Sequence, residues 1–151
     1  GLELETTWRV TPSLDVRTAA LISQPSLKRR DPALDPAGVA LAGINGATAS
    51  VAFDYHRSLA AETTIRLQGR ARYVGHAVLN LEPQAPPAPD FIEASASLSW
   101  ETPRWTLTAY ADNLFDRTSD SFAFGNPFNR ADAEVTPLRP RTAGVRLSAR
   151  F

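Results

Sequence analysis

The chain alternates apolar and polar residues over runs of about ten positions, and this period of two constrains its fold more than any other feature. In the last run, one set of alternating residues is apolar and the other is small, polar or charged. The apolar set is Ala143, Val145, Leu147, Ala149 and Phe151, and the other set is Thr142, Gly144, Arg146, Ser148 and Arg150. Because successive side chains of a β-strand point to opposite faces, the pattern predicts strands with one apolar and one polar face.

Runs of this kind recur along the whole chain, whereas helical periodicity is weak throughout, so the predicted fold class is all-β. Most of the runs approach the length that a tilted strand needs to cross a bilayer. Seven strands are predicted: Gly1 to Val10, Leu14 to Gln24, Ala47 to Tyr55, Thr63 to Val74, Phe91 to Trp100, Trp105 to Phe115 and Arg141 to Phe151.

The connections between these runs alternate in length. Short turns at 11–13, 56–62 and 101–104 separate long segments at 25–46, 75–90 and 116–140 that are rich in Pro, Gly, Asn and Asp. In an up-and-down antiparallel meander, this order places every short turn at one end and every long loop at the other. Outer-membrane barrels have this asymmetry, with short periplasmic turns and longer extracellular loops, whereas long loops are uncommon in compact soluble domains.

The aromatic residues of the apolar faces support the same interpretation. No charged residue is predicted on the apolar face of any of the seven strands, and five aromatic residues of that face fall at the short-turn end: Trp8, Tyr55, Trp100, Trp105 and Phe151. Such a cluster is typical of the aromatic belt at a membrane interface. The alternative is a soluble sandwich, in which the apolar face is the core.

An odd number of strands in a meander leaves the first and the last strand pointing the same way. They cannot pair antiparallel with each other, and open edges in lipid would leave backbone groups without hydrogen-bond partners. We therefore expect further strands, either before Gly1 or from another chain.

The composition excludes several other classes of function. The 16 basic and 16 acidic residues balance, which argues against a nucleic-acid partner, and the absence of cysteine removes thiolate chemistry. The two histidines, His56 and His76, fall at opposite ends of the meander, so no metal site is predicted. No nucleophile elbow or phosphate loop is present, so we expect no enzyme, no catalytic residue and no cofactor.

Three segments resemble the C-terminal region of TonB-dependent outer-membrane receptors. They are Gly1 to Glu5 followed by Trp8 and the turn at Thr11, the segment 109–116 with its Asn-Leu-Phe-Asp motif, and the closing segment 140–151 with its Pro-Arg-Thr opening and terminal Phe151. The resemblance implies a barrel of about 22 strands around an N-terminal plug. Residues 1–151 would then be the C-terminal segment of that barrel and supply roughly its last seven strands, with the plug, the earlier strands and the TonB box outside it.

The resemblance also implies a function, a location and partners. The whole receptor would sit in the outer membrane of a Gram-negative bacterium and actively import a scarce nutrient, such as a ferric siderophore or a similar metal chelate. The implied partners are the N-terminal remainder of the receptor, TonB-ExbB-ExbD through the plug, the barrel-assembly machinery, outer-membrane lipid and a small-molecule ligand. A passive porin or channel is the alternative, and a soluble β-sandwich binding module is a further one.

Three groups of residues are candidate functional sites under this interpretation. The first lines the lumen and faces the plug, with guanidinium groups suited to bidentate hydrogen bonds: Arg66, Arg70, Arg72, Arg146 and Arg150. The second lies in the last long loop and combines aromatic with hydrogen-bonding groups, for ligand capture or for packing of the loop on itself: Phe122, Phe124, Asn126, Phe128, Asn129 and Arg130. The third is the implied barrel-assembly signal of the last strand: Gly144, Leu147 and Phe151.

Overall fold

The computed structural model describes residues 1–24, 43–77, 88–124 and 134–150, with only the backbone described for 120–124 and 134–136. Nine strands are formed within these ranges, and among the described residues no helix has the length and apolar character needed to cross a bilayer. The strands are β1 (Leu2–Thr11), β2 (Leu14–Ile22), β3 (Ala47–Ala60), β4 (Thr63–Val74), β5 (Phe91–Glu101), β6 (Trp105–Asp112), β7 (Asp120–Phe124), β8 (Glu134–Pro137) and β9 (Thr142–Ala149).

Seven of these strands form one antiparallel sheet in the order β1-β2-β3-β4-β5-β6-β9. Each strand pairs with its neighbour along the chain, apart from the β7–β8 hairpin, which is inserted between β6 and β9 and forms its own two-stranded sheet. The all-β meander predicted from the sequence is therefore confirmed. Strands β1 and β9 form the two edges of the sheet, and an odd number of antiparallel strands leaves them parallel to each other.

The register keeps apolar residues opposite apolar residues across the sheet. One hydrogen-bonded row runs from Trp8 through Val16 and Phe53 to Gly69, and continues to Ala143 on β9. A shift of one residue in any pair would turn a charged row onto the apolar face, so the pattern fixes the pairing. The apolar face is not covered by a second layer of described residues: Val145 is 71% exposed and Leu147 68%.

Strand β3 is longer than the sequence predicted, since it runs to Ala60 and not to Tyr55. The segment 56–60 extends past the first residue of β2 and pairs only with the start of β4. It leaves a two-residue turn at Ala61 and Glu62. This extension places Arg57 on the apolar face, opposite Ile65. The expectation that this face carries no charge was therefore wrong at its short-turn end, where an exposed arginine reaches water readily.

The last long connection also differs from its prediction. Strand β6 ends at Asp112 and not at Phe115, because Asn113 turns the chain with a positive φ of 49°. The segment predicted as an irregular loop contains the β7–β8 hairpin, and β9 is confined to Thr142–Ala149. Short strands among Gly, Asn, Asp and Pro carry too little alternation to be recognised from sequence.

Two glycines of the sheet make room for an aromatic ring on the neighbouring strand. A Cβ at Gly69 would lie 2.3 Å from the ring of Phe53, and a Cβ at Gly144 would lie 2.7 Å from the hydroxyl of Tyr110. Both pairs are directly opposite in the register, the first on the apolar face and the second on the polar face. In each pair the aromatic ring packs over the backbone of the glycine, which has no side chain to cover it.

Candidate functional site

The apolar face carries its aromatic residues along a diagonal. The row of Trp8 meets β3 at Phe53, and Tyr55 lies two residues further toward the short turns. The row of Tyr55 meets β5 at Leu98, and Trp100 again lies two residues further. The diagonal ends at Trp105, whose ring centroid is 5.6 Å from that of Trp100. A plane drawn through these residues therefore crosses the strands obliquely and not at a right angle.

The slope of this aromatic diagonal defines a strand tilt. Neighbouring strands are about 4.8 Å apart and residues rise about 3.3 Å along a strand, so two residues for every two strands correspond to about 35°. Strands of outer-membrane barrels tilt by roughly 35–45° from the membrane normal. Trp8, Tyr55 and Trp100 thus lie on one level of a sheet tilted as such barrels are, and Trp105 lies about one residue further toward the short turns. A soluble core has no reason to align them.

The polar face of the sheet is concave. One hollow is lined by residues from five consecutive strands, β2 to β6, and they include Arg17, Asp54, Arg70, Tyr110 and Asp112. The sheet therefore curls toward its polar side, which is the curvature of a barrel wall whose lumen is wet and charged.

Arg66 is the centre of an ion-pair network at the short-turn end of this concave face. Its Nη1 lies 3.6 Å from Asp54 Oδ2, and its Nε lies 3.3 Å from Glu101 Oε1 without hydrogen-bond geometry. Gln68 Nε2 donates to the same Asp54 oxygen at 2.8 Å. The Arg66 side chain remains 39% exposed, so water screens these attractions.

Substitution of Arg66 by Met is accordingly expected to have a small effect. Exposed ion pairs contribute about 0–1 kcal/mol, and a Met side chain keeps most of the packing of the arginine stem. We expect the free energy of unfolding of the full-length protein to fall by less than about 1 kcal/mol in denaturant titrations. A loss several times larger would show that Arg66 is buried by a partner that lies against this face.

The other arginines predicted for the lumen lie in different settings. Arg70 and Arg72 line a second hollow together with Glu93, Asp112 and Arg139, and within the described part of the chain neither forms an ion pair. The guanidinium carbon of Arg146 lies 5.6 Å from the centre of the Tyr110 ring, a cation–π contact. Arg150 follows β9 and donates its backbone N–H to Arg104 O.

The sequence analysis missed a polar cluster at the base of the last loop. Asn113 is 2% exposed, and its Nδ2 donates to the carbonyl oxygens of Arg117 and Arg139 at 2.9 and 3.0 Å. Its Oδ1 accepts the Arg117 N–H at 3.0 Å. Asp116, which also has a positive φ, accepts the Arg141 N–H and lies 3.7 Å from the Arg141 guanidinium. The cluster joins the Asn-Leu-Phe-Asp and Pro-Arg-Thr motifs, so the sequence signal for it was present but appeared as two separate features.

A second asparagine ties the bases of the first two long loops together. Asn45 Nδ2 donates to Gly75 O at 2.7 Å, and the Asn45 carbonyl accepts the Ser23 hydroxyl at 2.8 Å. Backbone hydrogen bonds from Ser23 to Gly46 and from Gly46 to His76 strengthen this junction. The strand ends that carry the first two loops therefore form one hydrogen-bonded unit.

The remaining predicted site residues are not tested by this structure. Phe122 and Phe124 lie in β7, whose side chains are not described, and the other ligand-loop candidates, Asn126, Phe128, Asn129 and Arg130, fall outside the described residues. Phe151 of the predicted assembly signal also falls outside them, whereas Gly144 and Leu147 lie on opposite faces of β9. Among the described residues, no group of three His, Cys, Asp or Glu is placed to hold a metal ion.

Comparison with known proteins gives one informative structural likeness. No family model matches the sequence, and no curated protein matches it. The structure is similar to that of the ferric yersiniabactin uptake receptor FyuA from Yersinia pestis, with a TM-score of 0.77 and 18% identity. The match covers 96% of this chain and 22% of that receptor, so the chain spans about a fifth of the receptor's length. The sheet is thus folded like a section of that receptor.

Proposed function

We propose that this chain forms the closing section of the barrel wall of a TonB-dependent receptor in the outer membrane of a Gram-negative bacterium. The observation that carries the proposal is the aromatic diagonal on the exposed apolar face. If its residues mark the membrane interface, its slope corresponds to the strand tilt that is typical of such barrels. The concave polar face and the one-sided long loops agree with the same orientation. In this arrangement the chain has a structural role and no catalytic one.

The proposal requires strands that pair with the β1 and β9 edges. Within the described residues neither edge pairs with a further strand, and in lipid each backbone group without a partner costs several kcal/mol. We infer that earlier strands of the same receptor supply these partners and that a plug domain fills the lumen against the concave face. The plug would also carry the contact with TonB-ExbB-ExbD, while the barrel-assembly machinery would insert the finished wall.

The proposed cargo is a ferric siderophore or a similar metal chelate, taken up actively. Support comes from the fold likeness to a ferric yersiniabactin receptor and from the arginine-bearing concave face, which suits an anionic or oxygen-rich ligand. In this proposal the long loops at the outer end make the first contact with the ligand, and the arginines of the lumen solvate the wall and hydrogen-bond to the plug.

Uptake by the full-length protein that contains this chain tests the proposal. Cells that carry it as their single iron receptor should accumulate radioactive iron from a ferric siderophore, and a protonophore or deletion of TonB should abolish the uptake. The protein should fractionate with the outer membrane and migrate as a compact, heat-modifiable species on gels.

Two other outcomes would contradict the proposal. Solute entry that is indifferent to protonophore, combined with open conductance in planar bilayers, would identify a passive channel. A stable monomer that stays in solution without detergent would show that the apolar face is covered in another way, as in a binding module.

A further inference from the structure

Asn113 is a buried polar residue that lies just outside the paired residues of the sheet. It follows the last residue of β6, and its side chain makes its hydrogen bonds with residues beyond the sheet. Two bonds close a local turn with Arg117, and a third reaches across to Arg139, 26 positions further along the chain. A buried amide with three hydrogen bonds is a strong local constraint, because removal of the amide leaves three backbone groups without this partner.

The two legs of the connection between β6 and β9 are held together above this point. Leu138 N–H donates to Ser119 O at 2.8 Å, directly below the pairing of Asp120 with Pro137 that begins the β7–β8 hairpin. Asp116 accepts the Arg141 N–H at 3.2 Å on the other side. The legs, the hairpin and the end of the sheet are therefore connected by an unbroken set of hydrogen bonds.

We propose that Asn113 is the positioning residue of the outer hairpin: its side chain locks the base of the 113–141 connection, so that β7–β8 projects from the barrel rim in a fixed orientation. Asp116 and Arg141 form the second point of this lock. The proposal about orientation stands without the transport function, whereas the role of the hairpin in ligand capture rests on the proposed function.

The backbone of Asn113 offers a substitution that separates side chain from main chain. A φ of 49° favours Gly and Asn, so Asn113→Gly keeps the turn free of strain and removes only the three side-chain hydrogen bonds. Asn113→Asp keeps the acceptor oxygen for the Arg117 N–H and loses both donors. In this 2% exposed site the other carboxylate oxygen of Asp would face the carbonyl oxygens of Arg117 and Arg139, so this variant adds repulsion to the loss of the donors.

Site-directed spin labelling of the full-length receptor in outer-membrane vesicles provides the test. This chain contains no cysteine, so a label attached through Thr118→Cys, an exposed position beside Arg117, reports on the base of the hairpin. In Asn113→Gly we expect the mobile component of the spectrum to rise by about tenfold relative to the immobile one, because each lost hydrogen bond shifts such an equilibrium a few-fold. Asn113→Asp should give a rise at least as large, because its carboxylate is repelled by the two carbonyl oxygens that the amide of Asn113 binds.

Asn45→Ala is the matched control, since Asn45 ties the bases of the other two loops through one amide in the same way. A label at His76→Cys, also exposed, should gain mobility in Asn45→Ala and not in Asn113→Gly, while the label at position 118 should show the reverse. Unchanged mobility at position 118 in Asn113→Gly, with a folded and heat-modifiable barrel, would overturn the proposal.

Iron uptake by the same variants distinguishes the positioning role of Asn113 from the proposed transport function. Iron uptake at limiting siderophore should weaken in Asn113→Gly while uptake at saturating siderophore is retained, because a mobile hairpin lowers ligand affinity and leaves the wall intact. Increased mobility without any active iron uptake in the parent protein would contradict the transport function and leave the positioning role of Asn113 standing.

Discussion

Substitution of Leu98 by Arg is expected to destabilise the folded protein by about 1–2 kcal/mol, between the cost of an arginine at the middle of a bilayer, about 2–4 kcal/mol, and the cost near its interface, about 0–1 kcal/mol. Leu98 lies on the apolar face of β5, is 50% exposed and pairs with Leu67 and Ala109 on its two sides. It lies above Trp100, and therefore within the apolar band and not at its edge. Unfolding of the full-length protein in lipid vesicles, followed by tryptophan fluorescence, measures the loss.

Ser97→Arg is the control for this substitution, since the neighbouring side chain points to the concave polar face. That position lines the hollow that also contains Asp15, Asp54 and Asp112, so a guanidinium there meets water and carboxylates. We expect its effect to stay below about 1 kcal/mol. Equal losses for the two variants would contradict a lipid-facing role of the apolar face.

Substitution of Gly144 by Ala should destabilise the closing strand by about 1 kcal/mol, the lower end of the cost of overpacking, because the end of the Tyr110 side chain can move into the hollow it lines. The added methyl group would lie 2.7–3.0 Å from three atoms of the Tyr110 ring end, and the ring would have to leave its contact with Arg146. The denaturant midpoint of the full-length barrel, together with the heat-modifiable fraction that reaches the membrane, measures the effect on stability and on assembly.

A double-mutant cycle separates two explanations for Gly144. If the glycine makes room for the ring, Tyr110→Ala combined with Gly144→Ala should lose much less stability than the two single changes added together, with a coupling of about 1 kcal/mol. If the glycine is instead read by the assembly machinery, the fraction inserted into membranes should fall in Gly144→Ala whether or not Tyr110 is present. Additive losses of stability would argue against packing as the cause.

The fold was predictable where one physical rule acts along the whole element. Strand β4 was predicted with the same bounds that the structure shows, because alternation from Thr63 to Val74 is unbroken. Strand β3 was cut short at Tyr55, since the charge of Arg57 interrupts the apolar set although pairing with β4 continues to Ala60. Alternation of apolar and polar residues shows which face of a strand is buried or in lipid. It disappears where both faces of a hairpin are exposed to water, so the end of the strand cannot be recognised from sequence there.

The candidate sites were less predictable than the strands, for a related reason. The sequence placed Arg66, Arg70 and Arg72 on one face, yet it gave no means to see that Arg66 is paired with Asp54 and Glu101 while Arg146 lies over Tyr110. The hydrogen bond from Asn113 to Arg139 joins residues 26 positions apart. The positive φ of Asn113 is set by the turn that the chain makes at this residue. Contacts of this kind form only when the two ends of the connection come together in the fold, so no periodic pattern along the chain predicts them.

The shared asparagine junction has a consequence for exchanging loops between receptors. Asn45 and Gly46 join the base of the first long loop to Gly75 and His76 at the base of the second, so the described bases of those two loops form a single hydrogen-bonded unit. The third loop carries its own lock within 113–141 and shares no described hydrogen bond with that junction. The third loop should therefore be transferable alone, whereas the first two should be transplanted as a pair so that the junction between their bases is kept.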